Sequence, residues 1–188
     1  MTGKQHMTIG TFGATVLTIG FFKVSGKSID PIALGSIVAG AALGSYMPDI
    51  DSKKSKASQM FNKILLFLLL ALVGSKMIAN ATGLQFVEKI SSIISGSIYA
   101  NVGLLLFGAV TVAGKLSPHR QFTHKWLGTV LFGIASFMTF NLTFALGFMV
   151  GYVLHILADK TTSAGKHLNF FDFKLPCQNS RGDFHPVF

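Results

Sequence analysis

The stretch GYVLHILADKTT, residues 151–162, ends a long run without Lys, Arg, Asp or Glu by placing His155 and Asp159 four positions apart. On a helix, positions i and i+4 share a face. The pair can therefore aim at one centre, or Asp159 can orient the imidazole from behind. Asp49 and Asp51 stand in YMPDIDSKK, just after Pro48. Two carboxylates this close repel unless a cation or a proton relieves them. His119 and His124, in SPHRQFTHKW, are five apart. A regular helix would not put both on one face, so a bend or a helix start is expected between them, with Thr123 as its cap. His6 lies just ahead of the first apolar stretch. Imidazole and carboxylate together suit zinc, manganese or iron. Cys177 is the only cysteine, which excludes a disulfide within the chain and a CxxC zinc cluster. Any metal must be held by nitrogen and oxygen.

Each residue alone has an ordinary reading. His6 can be a terminal side chain, and Asp49 and Asp51 a solvated loop beside lysines. His119 and His124 can sit among lipid head groups. His155 can donate to a backbone carbonyl, and Asp159 can be a loop acid. Their placement on the chain argues otherwise. Half of the 188 residues are hydrophobic and mean hydropathy is +0.55. Charged residues make up 12%, against about 25% in a soluble domain. These values point to an integral membrane protein. Six apolar stretches can be marked, at roughly 8–22, 31–48, 63–79, 92–114, 126–140 and 142–158. Some fall short of the ~20 residues a straight span needs. Residues 126–158 are too long for one span and are expected to turn back near Asn141. The first stretch reads as a retained span rather than a signal peptide, because Val24-Ser25-Gly26 is a poor cleavage site. Gly40 and Gly44 form a GxxxG, a spacing associated with close helix packing.

The chain carries 16 basic and 7 acidic residues, a net charge of +9. Nucleic-acid binding is one reading of that excess; basic loops beside membrane spans are the better one. With six spans, both termini and the second and fourth loops share a side. That side holds twelve of the sixteen Lys and Arg residues, which predicts cytoplasmic termini. His6, Asp49, Asp51, His119, His124, His155 and Asp159 all fall on it, whereas Asp30 and Glu88 fall opposite. The fold expected is all-α: a polytopic helical membrane protein with a metal site at the cytoplasmic interface. Residues 1–176 form one membrane-embedded domain, and residues 177–188 a tail. The polar, aromatic segment after Asp159 is expected to be ordered only in part.

The runs TGKQH, GSYMPDID, HRQFTH and GYVLHILADKTTSAG, in this order, resemble the YdjM-like family of membrane-bound, LexA-regulated metal-dependent hydrolases. The resemblance covers residues 1 to about 176. Gln5 departs from the usual Thr, Met47 from Leu, Gln121 from Gly, and Lys125 from a small hydroxyl residue. The ending NSRGDFHPVF takes the place of a late Glu, so Asp183 or His185 could stand in for it. None of these departures removes a proposed ligand. The resemblance implies a divalent-metal hydrolase of the inner membrane, with a ligand pattern similar to zinc-dependent phospholipase C enzymes. "LexA-regulated" describes the expression of some members and implies no DNA binding.

The expectation is then a multi-pass inner-membrane hydrolase holding one or two divalent ions, zinc first, with manganese or iron as alternatives. His6, Asp49, Asp51, His119, His124, His155 and Asp159 form the ligand pool. A metal-activated water would attack a phosphoester of a lipid or lipid-linked substrate. Asp51 could bridge metals or act as general base, and Arg120 could hold the phosphate in a bidentate fork. Lys53, Lys54 and Lys56 could draw anionic head groups, and Thr123 and Thr162 could support the site. No nucleic acid is expected. The alternatives are a small metal-ion transporter or channel subunit, or a non-catalytic membrane interaction protein with a structural metal.

Overall fold

A computed structural model describes residues 3–26, 28–52, 55, 58–60, 62–63, 98–163 and 165–187. Five α-helices are described: α1 (Gly3–Val24), α2 (Pro31–Tyr46), α3 (Ile98–Leu116), α4 (Trp126–Thr139) and α5 (Leu142–Lys160). Two short 3-10 turns join them, Met47–Asp51 after α2 and Phe122–His124 before α4. The expected stretch 63–79, beyond Lys63, and the start of 92–114 lie outside the described residues.

Local chemistry sets the helix ends. Asp30 caps α2 by accepting from the Ala33 amide at 2.6 Å, and Pro31 occupies the first turn, where its missing N–H costs nothing. Pro48 has no N–H for the carbonyl one turn back, so the chain tightens into the 3-10 turn that carries Asp49 and Asp51. The run 126–158 does turn back, at Phe140-Asn141. Asn141 then caps α5 through the Phe144 amide at 2.9 Å.

Three of the described helical segments are long and apolar enough to cross a membrane: Pro31–Asp51, Tyr99–Leu116 and Leu142–Lys160. The apolar parts Thr8–Val24 and Trp126–Thr139 are shorter.

α5 lies at the middle of the arrangement, against α1 and α2 on one side and α4 on the other. Its contact with α2 is backbone to backbone. A methyl group added at Gly40 would run into the Phe144 carbonyl, and one at Gly44 into that of Phe148. From the other side, Gly147 abuts the Ile37 carbonyl and Gly151 that of Ala41. Two GxxxG spacings, Gly40–Gly44 and Gly147–Gly151, thus interlock within one chain. α3 pairs with α4, and Phe107, Phe132, Phe148 and Tyr152 pack edge-on or tilted where this pair meets α5. Met47, Ile50, Phe122 and Ile156 extend that apolar core up to the polar end of the bundle.

The segment after α5, expected to be ordered only in part, is tied down as far as Val187. Buried Lys125 donates to the Asn169 carbonyl at 2.6 Å and to Asp172 Oδ2 at 3.2 Å. The Trp126 amide bonds the Phe170 carbonyl at 3.0 Å, and the Val187 amide bonds the Leu116 carbonyl at 2.8 Å. The Cys177 amide donates to Ser117 Oγ at 2.8 Å.

Substituting either member of the α2–α5 interlock should separate the helices. Gly44→Val and Gly151→Val are each expected to lower stability by about 1–3 kcal/mol or more, read as a fall in melting temperature in detergent. Gly20→Val, at an open position on α1, should be nearly neutral.

Candidate metal centre

Three chain segments deliver the polar residues to one end of the bundle. The 3-10 turn after α2 brings Asp49 and Asp51, the α3–α4 connection brings His119, Arg120, Thr123 and His124, and the last turns of α5 bring His155 and Asp159.

Asp51 is buried and satisfied. Its Oδ1 accepts from His119 Nδ1, and its Oδ2 accepts from the Arg120 amide and from Thr123 Oγ, all at 2.8 Å. Arg120 turns through a left-handed φ of +62°. Its amide faces Asp51 and its guanidinium reaches Asp159 Oδ1 at 2.6 Å. The expected helix start between His119 and His124 is present as the turn Phe122–His124. Thr123 does not cap it: the hydroxyl goes to Asp51 instead, and Lys125 precedes α4 without a side-chain cap. The attraction of a buried carboxylate outweighs a local capping bond. Thr162 closes α5, its hydroxyl donating to the Asp159 carbonyl at 2.6 Å and accepting from the Gly165 amide at 3.0 Å.

Proton counting selects the tautomer of a neutral His124. A carboxylate only accepts, so Thr123 must donate its single proton to Asp51. Thr123 Oγ lies 3.1 Å from His124 Nδ1 and can then only accept from it. In the neutral ring the proton therefore sits on Nδ1, which leaves the Nε2 lone pair for a ligand. His124 is fully buried, and among the described residues neither its Nε2 nor Asp159 Oδ2, 3.8 Å away, has a hydrogen-bond partner. Asp49 Oδ1 lies 3.9 Å from the same Nε2 and 3.5 Å from His155 Nε2. Ligand atoms of Asp49, His124 and His155 lie within 4.8 Å of one another and could hold a metal ion. Tetrahedral bonds of about 2.0–2.2 Å place neighbouring ligand atoms roughly 3.3–3.6 Å apart. The gaps of 3.5, 3.8 and 3.9 Å are at or somewhat above that, and a cation would satisfy the two buried atoms left without partners among the described residues. Asp49 is the most exposed of the four side chains, at 25%, which leaves water a way in.

Among the proposed ligands, Asp49, His124 and His155 come together, with Asp159 beside them. Asp51 and His119 form a second layer behind His124. His6 lies in α1, but its side chain is outside the described residues, as are Lys53, Lys54 and Lys56. Asp183 and His185 are exposed in the tail, where Asp183 accepts from Asn179 Nδ2 at 3.2 Å. Sequence reasoning missed Tyr152, whose buried hydroxyl donates to the Thr123 carbonyl at 2.5 Å and so fastens the His124 turn to α5. Its position three residues before His155, on the same helical face, was the available signal.

Partial burial of the His119 ring disfavours its charge. The hydrogen bond and charge of Asp51, with Asp49 behind, outweigh that and raise its pKa above the ordinary histidine value.

A family model described as YdjM inner membrane protein matches residues 1–177. No curated protein and no solved structure matches the chain.

Two measurements check this geometry. Thr123→Val should weaken metal binding by about 10–100-fold, the usual cost of losing a partner behind a ligating histidine, while Thr123→Ser should keep it, as read by competition with a chromophoric chelator. In metal-free protein, NMR titration should place His119 above free histidine, and Asp51→Asn should bring it back down. The stabilisation from that pair is full below the ordinary histidine pKa and fades as pH rises through the raised value.

Proposed function

The chain belongs to the YdjM inner membrane protein family, and we propose that it is a membrane-bound, metal-dependent hydrolase acting on a phosphoester of a lipid or lipid-linked substrate. The observation that carries this reading is the meeting of Asp49 Oδ1, His124 Nε2, His155 Nε2 and Asp159 Oδ2, of which His124 Nε2 and Asp159 Oδ2 are buried with no hydrogen-bond partner among the described residues. These four residues hold the divalent ion, and two imidazoles with two carboxylates favour zinc over manganese or iron. Such an ion acidifies water and screens charge on a phosphoryl group.

The remaining residues divide the work. Asp51 positions His124 through the Thr123 hydroxyl and holds His119 directly. With both Asp51 oxygens occupied by donors, His119, exposed on its outer side, is better placed than Asp51 as general acid or base. Arg120 lies partly exposed beside Asp159, where its guanidinium can take a phosphate oxygen. The Lys and Arg distribution supports cytoplasmic termini and a site on the cytoplasmic face of a multi-pass chain. The three long apolar helices make a lipid or lipid-linked molecule the accessible substrate.

Elemental analysis of the purified protein should find bound divalent metal, with most of it lost in His124→Ala and Asp49→Ala. Full occupancy in both variants would contradict the ligand set. Phosphate release from phospholipids and polyprenyl phosphates should stop on chelation and return with zinc. His119→Ala should keep its metal and lose about 10²–10⁴-fold in turnover. Turnover that survives chelation would rule out metal-dependent hydrolysis.

A further inference from the structure

The segment after α5 exposes large aromatic side chains on a backbone that is held in place. Phe171, Phe173 and Phe184 are 80%, 59% and 73% exposed, and Leu175 is exposed beside them. A loop free to collapse would hide such side chains, because taking apolar surface out of water is favourable. This one is pinned instead. Its bonds to Lys125, Trp126, Ser117 and Leu116 attach it to the ends of α3 and α4. The Gln178–Phe184 bridge and the bond from the His185 amide to the Cys177 carbonyl, 2.6 Å, close its last turn. Trp126 tilts against Phe173 with ring centroids 5.9 Å apart. The aromatics therefore stand at the polar end of helices that include membrane-length spans, outside the spans themselves.

Charge adds the second observation. Lys166 and Arg181 are exposed in the same segment, and Lys160 is exposed at the end of α5 just before it. Both of its acids are engaged: Asp172 with Lys125 and Asn169, and Asp183 with Asn179. Phenylalanines beside cations are the composition of a membrane-surface anchor, and cations near the surface attract anionic lipid.

We propose that residues 166–187 form an interfacial anchor, with Phe171, Phe173 and Phe184 set into the head-group layer at the site end of the bundle and the cations on anionic lipid head groups. The anchor requires only that the long apolar helices cross a bilayer, and it stands whether or not the chain is a hydrolase.

The test uses the full chain in vesicles, with Trp126→Phe as background and one tryptophan placed by Phe171→Trp or, separately, by Phe184→Trp. Circular dichroism and melting select the variants that fold like the parent. Bromine on phosphatidylglycerol chains should quench each reporter about two-fold or more, and more strongly than bromine on phosphatidylcholine in the same mixed vesicles. Aqueous iodide should quench weakly. Strong iodide quenching with no bromolipid effect would place the aromatics in water and overturn the proposal. Protection from both quenchers would mean that protein, such as a second copy, covers them, and would overturn it too. Equal quenching by the two brominated lipids would overturn the preference for anionic lipid.

Discussion

Two glycine pairs let the backbones of α2 and α5 touch, and the polar pocket takes its dimensions from that touch. Asp49 follows α2 by one short turn, and His155 lies one turn beyond Gly151. The 3.5 Å between their ligand atoms is therefore set by helices that no bulky side chain holds apart. In a bilayer, where apolar side chains gain little by leaving lipid, such close packing is a main source of helix association. The site is rigid because its supports are in van der Waals contact along their length.

The second element of the site is Asp51, which touches none of the orphaned ligand atoms yet organises their neighbours. Three donors converge on it from the α3–α4 connection. One of them, Thr123, passes its orientation on to His124. Tyr152 binds the same turn from α5. The His124 ring is thus held from two helices while its Nε2 is left bare. A buried network of this kind specifies one arrangement because each alternative leaves a polar atom unpaired.

Much of this was legible in the sequence. The turn back near Asn141 and the helix end at Pro48, just ahead of the carboxylates, could be read along the chain, whereas the caps at Asp30 and Asn141 were seen only in the structure. Topology counting put His124, His155, Asp49 and Asp159 on one side, although they come from segments far apart in the chain. Spacing could not divide that set into residues that meet and residues that stand behind. His119 and Asp51 differ from His124 and Asp49 only by side-chain direction, which depends on the left-handed Arg120 and on the 3-10 turns. The Thr123 hydroxyl looked like a cap because local bonding was the only partner visible along the chain, and its true partner is 72 residues away. The Gly40–Gly44 spacing pointed to close helix packing but named no partner. Its partner proved to be the equivalent spacing at Gly147–Gly151, whose role emerges only when α5 is laid against α2. The segment after α5 read as loose because its anchors are backbone groups and one buried lysine, which leave no pattern in composition.

The interlock of α2 with α5 also sets a schedule for biosynthesis. The two helices are separated by about a hundred residues, which a ribosome adds at about 5–20 per second. For several seconds the glycine face of α2 has no α5 to pack against, and Asp49 lacks His155. The pocket closes only when α5 arrives, so Asp49 and His124 cannot meet His155 and Asp159 until residue 159 has been made. A nascent chain stalled before α5 would therefore lack His155 and Asp159 and have no complete candidate site.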